Sequence, residues 1–263
     1  MLTARRTAIL GGLVTLAMAY PVMGCSAGEV RPADHGRQTE VYVLGTIHSG
    51  HRDSELYSLA VLESAIRKAG PDVILTEIPP DRIAQAISSF AATGTIDEPR
   101  TRVFPEYTDV VFPLSNEMDF EIIGTAGWTP QIADDRRVAL DQIANDPARA
   151  EQWSEHLAAR RAYARRVDGR GDDPKFIHTD EFDQLVEEAY RPYQDHFDAD
   201  LGAGGWTEIN RAHTDLIVEA LGQIAGQGKR VLITFGTAHK YKIIRRLKEQ
   251  PGIVLLDSRA LFE

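Results

Sequence analysis

Two apolar, β-branched runs near opposite ends of the chain end alike. Val41-Tyr42-Val43-Leu44 runs into Gly45-Thr46-Ile47-His48, and Val231-Leu232-Ile233-Thr234-Phe235 into Gly236-Thr237-Ala238-His239. Continuous apolar runs predict strands buried on both faces, as in a parallel sheet. A glycine at each strand end is expected to let the chain turn, so that each His projects from the carboxyl edge, where open α/β folds bind ligands.

Between these runs the pattern alternates strands with helices. Glu40 to Leu44 reads as the first strand. Leu56, Leu59, Leu62, Ala65 and Ile66 recur at helical spacing over Ser54 to Ala69, and Gly70-Pro71 stops that helix. Asp72 to Glu77 is a second strand ended by Pro79-Pro80, which completes a right-handed βαβ unit. Helices are expected over Asp81 to Ala92 and Asp109 to Met118, with a loop over 94–105 between them. Phe120 to Gly124 is a third strand, and Gly124-Thr125-Ala126-Gly127-Trp128 repeats the Gly-Thr exit without its His. Helices then follow over Pro130 to Arg166, Thr179 to Phe197, Thr207 to Ala225 and Lys240 to Gln250, with a mobile loop at Asp168 to Pro174. A last strand covers Ile253 to Leu256. The expected fold is α/β: a mixed, largely parallel central sheet flanked by helices, with an inserted helical region at about 130–228.

The first residues have a different character. Arg5 and Arg6 precede an apolar stretch, Thr7 to Met23, as in a secretory signal. Val22-Met23-Gly24-Cys25 resembles the lipobox of bacterial lipoproteins. That resemblance implies cleavage after residue 24, lipidation of Cys25, and a tether over 25–38 ahead of a domain at 39–263. The expected location is the bacterial cell envelope, lipid-anchored and facing the periplasm or the surface.

Cys25 is the only cysteine, so internal disulfides and Cys-based zinc sites are excluded. Loss of the signal removes two arginines and no acid, taking the charge from −10 to −12 (29 − 2 basic against 39 acidic residues). Such acidity argues against nucleic acid as a partner and against electrostatic attachment to anionic lipid. The lipid anchor is the expected membrane contact.

Three strand ends carry polar groups: His48, Glu77 and His239. A charged residue rarely ends a buried apolar run without a use. If the strands are parallel, all three point to one edge. Two imidazoles and a carboxylate suit Zn, Mn, Fe or Co, and such a metal can activate water. The same trio without metal suits general acid–base work, with Glu77 as base. His51, three residues after His48, either reaches the same site or faces solvent. On the helix with Asn210, Arg211 and His213, Arg211 is expected to clamp a carboxylate or an oxyanion, the alternative being a surface pair with Glu208. His213 reads as part of a surface cluster, and His156, His178 and His196 as solvated. Ser115 and Ser258 lack a nucleophile-elbow setting, and no phosphate-binding glycine loop is present.

Gly45-Thr46-Ile47-His48, Gly236-Thr237-Ala238-His239 and Glu77 resemble the marks of the TraB/GumN and Tiki superfamily: two Gly-x-x-His motifs and a Glu ending the second strand. Asn210-Arg211 is similar to that family's Arg/Asn pair, in a different order. The resemblance implies a membrane-anchored, metal-dependent hydrolase acting on a peptide or small molecule. His48, Glu77 and His239 would be its metal site, with Glu77 and Arg211 catalytic. The same superfamily includes ChaN-like haem-binding lipoproteins, so the alternative is a non-catalytic haem carrier with Tyr241 or a His as axial ligand. Thr46 stands where the ChaN-like motif has an acidic residue.

Overall fold

The computed structural model describes residues 37–263. The signal segment, Cys25 and the tether up to residue 36 lie outside the described residues. Five parallel strands form one sheet: β1 (Thr39–Thr46), β2 (Val73–Thr76), β3 (Glu121–Gly124), β4 (Arg230–Gly236) and β5 (Ile253–Leu255), in the order β3-β2-β4-β1-β5. The α/β expectation holds, with a sheet that is parallel throughout rather than mixed.

The helices are α1 (Leu59–Ala69), α2 (Pro80–Thr93), the short α3 (Phe112–Leu114), α4 (Pro130–Asn145), α5 (Ala150–Val167), the short α6 (Pro174–Ile177), α7 (Asp180–Leu201), α8 (Trp206–Ile224) and α9 (Lys240–Leu247). A 3₁₀ turn covers His48–Arg52 and a π-helical turn Glu106–Val111, directly before α3. The first helix starts later than its apolar spacing predicts. Ser58 is extended there and accepts the Val61 N–H as an N-cap, while Ser54 Oγ accepts the Tyr57 N–H in a preceding turn.

Alternate strand residues face opposite layers. Leu44, Ile74 and Leu232 pack under α1, the Glu106–Val111 turn and α7. Val41, Val43, Val73, Leu75, Val231, Ile233 and Phe235 pack under α8 and α9. Both faces are covered, which is why the strands read as unbroken apolar runs. No helix among the described residues is long and apolar enough to cross a membrane.

The topology positions the site. β4, from the far end of the sequence, inserts between β1 and β2. Its register aligns Gly236 with Thr46 and Thr234 with Thr76. The carboxyl ends of the three central strands are therefore level. His48 follows β1, Glu77 follows β2 and His239 follows β4, side by side on one edge.

Candidate functional site

His48 sits at φ +50°, a left-handed conformation that non-glycine residues seldom adopt. Strain of this sort costs about 1–3 kcal/mol and gathers at functional sites. It turns the ring back across the strand ends. Nδ1 donates to Glu106 Oε1 at 2.6 Å, and Nε2 lies 3.8 Å from Glu77 Oε2. Glu106 has 1 % of its side chain exposed and His48 37 %, so the Nδ1 side of the ring is sealed by a buried carboxylate while the ring itself is partly exposed.

Glu106 was not legible as a site residue in the sequence. It opens the π-helical turn, a local form common at functional sites. Its Oε1 also accepts the Thr46 hydroxyl at 3.0 Å, while its buried Oε2 has no partner among the described residues. Tyr107, next along the turn, is buried and fully engaged. Its hydroxyl accepts the Glu77 N–H at 2.7 Å and donates to the Thr234 carbonyl at 2.9 Å. One phenol thus ties the ends of β2 and β4 and sets where Glu77 starts.

The Glu77 carboxylate is held from the other side by the Gly236 N–H, 2.8 Å from Oε2. Gly236 has no positive φ, so the left-handed region is not its reason. A Cβ at this position would stand 2.5 Å from His48 Nε2 and 3.4 Å from Glu77 Oε2. The glycine of the second motif is there for close approach of the first motif's His.

His239 is oriented by Asn210. The amide Nδ2 donates to the Trp206 carbonyl, leaving Oδ1 to accept the His239 Nδ1–H at 2.8 Å. The neutral ring therefore presents a lone pair at Nε2. Trp206 stacks on the ring at 4.9 Å. His213 stands edge-on to His239, 5.0 Å between centroids, and is completely buried. Its Nδ1 accepts the Gly127 N–H at 2.8 Å, which places its proton on Nε2, a buried donor with no partner among the described residues. The third, His-less Gly-Thr exit thus supplies the backbone donor that sets this tautomer.

The charges divide the three imidazoles. Burial pulls the His48 pKa down, but the Glu106 hydrogen bond and the charges of Glu77 and Glu106 outweigh it, and the net shift is upward. His239 is lowered, by burial first, with Glu77 opposing and His48 adding to the fall. Burial, with His239 beside it, drives His213 well below the ordinary value. One ring is set to gain a proton and two to stay neutral.

Other expected residues lie elsewhere. Arg211 is 62 % exposed and paired with Glu208 at 2.7 Å and Asp215 at 3.2 Å, so it belongs to the surface. His213, read as a surface residue, is the buried one. His51 neither enters the site nor faces solvent: it accepts the Ile47 N–H and donates to the Tyr57 carbonyl, bracing the loop. His178 is likewise a brace rather than solvated, with Nε2 accepting the Gly45 N–H at 2.9 Å and Nδ1 donating to the Pro174 carbonyl. His156 packs among Trp153, Tyr193 and Phe197, while His196 pairs with Glu155. Tyr241 is buried and accepts the Trp206 indole N–H, and burial pushes its phenol up to about 12. Its hydroxyl is held by the Trp206 indole, inside the aromatic layer of α7 and α8.

Among the described residues, no group of three or more His, Cys, Asp or Glu side chains is arranged to hold a metal ion. The Glu77 oxygen nearest His48 accepts a backbone N–H, and Glu106 binds the far nitrogen of the ring. A carboxylate on the far nitrogen supports a metal-bound imidazole as well as a general base, so metal content rather than these contacts separates the two uses of His48. Comparison of the chain with protein-family models, with curated proteins and with solved structures found no match.

Proposed function

We propose that this chain is a hydrolase of esters or amides in which His48 is the general base. The observation that carries the reading is the Glu106–His48–Glu77 line, 2.6 Å on one side of the ring and 3.8 Å on the other. His48 Nε2, which makes no hydrogen bond among the described residues, takes the proton of an attacking water. Glu106 keeps the ring oriented and stabilises the imidazolium as it forms, as a buried carboxylate does beneath a catalytic His. Glu77 adds a second negative charge to the protonated ring. The proton then returns from Nε2 to the leaving group. His239 and Asn210 border the site with a fixed lone pair at Nε2.

The membrane anchor at Cys25 belongs to the same proposal and would hold the enzyme at the cell envelope with a peptide or small molecule as substrate. Transfer of a labelled fatty acid to the wild-type chain and not to Cys25→Ser is the expected outcome for the anchor.

The activity test is a panel of chromogenic esters and amides with the full-length chain. Asn tolerates positive φ, so His48→Asn preserves the backbone. Turnover by the wild type and a loss of about 10²–10⁴-fold in His48→Asn is expected, the usual contribution of a general base. Equal rates in the two proteins would sink the reading. The metal-dependent form is tested separately by the metal content of the wild type against His48→Asn and His239→Ala.

A further inference from the structure

We propose that this site takes an anionic substrate with an apolar group, the apolar part filling a cavity beside Trp128 and the anion held by Arg100 and Arg136. The inference rests on the hydrolase reading for the location of the reacting bond.

The cavity has a volume of about 370 Å³ and is walled by Pro79, Arg100, Val103, Trp128, Pro130 and Ala133. That is within the size range of small-molecule sites, and its wall is mainly apolar. Three observations attach it to the His/Glu cluster. Pro79 follows Glu77 by two residues. The Trp128 ring lies 6.1 Å from His213, and the Gly127 N–H before it binds the same His. Arg100 is close enough for its charge to act on both His48 and His213.

The arginines identify the charge of the occupant. Arg82, on the same wall, is partnered by Asp81 at 3.1 Å and Glu98 at 3.9 Å. The Arg100 backbone N–H donates to Glu98 Oε1 at 3.2 Å, but its guanidinium has no carboxylate partner among the described residues and lies over Phe104, whose ring is 4.9 Å from His48. Arg136 binds the Tyr193 hydroxyl, lies over Trp128 at 5.9 Å and acts electrostatically on His239, again with no carboxylate partner among the described residues. In a chain with 39 acidic and 29 basic residues, carboxylates are plentiful. The Arg100 guanidinium on the wall of this cavity, and that of Arg136 over the Trp128 ring of the same wall, match a ligand that brings its own anion.

The probes are N-acetyl-L-phenylalanine, its neutral amide, and N-acetylglycine, titrated calorimetrically into the full-length chain. The first should bind about tenfold tighter than either of the others, since it alone has both the aryl group and the carboxylate. Arg100→Gln or Arg136→Gln should erase the preference over the amide. Arg100 is exposed and Arg136 half-buried, and a wild-type unfolding midpoint in each variant checks that the fold is kept. Ala133→Trp, which fills the cavity, should erase the preference over N-acetylglycine. Equal binding of the three probes, or no binding tighter than about 1 mM, would overturn the proposal. The titration needs no turnover. The expected preferences in a chain that hydrolyses nothing uphold the cavity and remove the hydrolase reading. Hydrolysis that depends on His48, with no preference among the probes, does the reverse.

Discussion

Glu106 and His48 lie 58 residues apart in the sequence and meet at 2.6 Å. The contact joins a π-helical turn to a strained strand exit, and it determines which nitrogen of the ring is free. The general-base role proposed for His48 depends on that free nitrogen.

Substituting Glu106 should therefore change both rate and pH dependence. His48 is raised above 6.5, and a base works only unprotonated, so wild-type kcat/KM should climb with pH through a value above 6.5. In Glu106→Gln the hydrogen bond to a charge is gone and burial works against less opposition. The acid limb should move to lower pH while the plateau falls by about 10-fold or more. A pH–rate profile in which neither quantity moves would contradict the assignment of Glu106.

Gly236→Ala places a methyl group against His48 Nε2 and Glu77 Oε2. The ring must move, while β4 has no positive φ to lose. We expect a stability loss of about 1–3 kcal/mol in chemical denaturation, with activity lost far beyond what that change explains. A variant with wild-type activity would show that the ring and the carboxylate are not held in contact.

Tyr107→Phe leaves the Glu77 N–H and the Thr234 carbonyl without their common partner. Each unsatisfied buried group costs about 1–3 kcal/mol. The midpoint of urea unfolding should fall accordingly, and activity with it, since Glu77 loses its anchor. No change in either would place the hydroxyl outside the frame of the site.

His178 makes stability depend on pH. Burial lowers its pKa from 6.5 to about 3, with the hydrogen bond to the Pro174 carbonyl opposing. The unfolded chain then binds a proton that the folded chain refuses. Its contribution is intact above pH 6.5 and is lost as pH falls toward about 3, at up to about 1.4 kcal/mol per pH unit. His178→Asn should show a flatter slope than wild type across that interval. Parallel curves would mean that this His titrates in the folded protein as it does in solvent.

Much of this architecture was readable from residue patterns, and the failures have local reasons. The strands and most helices follow from apolar periodicity because both faces of the sheet are covered. The meeting of His48, Glu77 and His239 at one edge follows from parallel strands, although the insertion of β4 between β1 and β2 does not. On α8, the buried set Trp206, Ile209, Asn210, His213 and Ile217 recurs at three and four residues. That stripe puts Asn210 and His213 inside and Arg211 outside, so the spacing already held the answer that the charged neighbours concealed. Glu106 gave no such signal. A π-helical turn does not keep the 3.6-residue period, and its burial depends on a partner in another part of the chain. His51 and His178 were hidden in the same way, because their partners are backbone groups that a sequence does not display.

The central claim, that His48 itself moves the proton, is tested most directly by chemical rescue. Glycine accepts the φ of +50° at this position, so His48→Gly removes the imidazole and keeps the backbone. Ester or amide hydrolysis by the full-length chain should fall by at least about 100-fold. Free imidazole should then restore it in proportion to its concentration. Wild-type turnover in the variant, or a rate that imidazole leaves unchanged while a divalent metal restores it, would contradict the account.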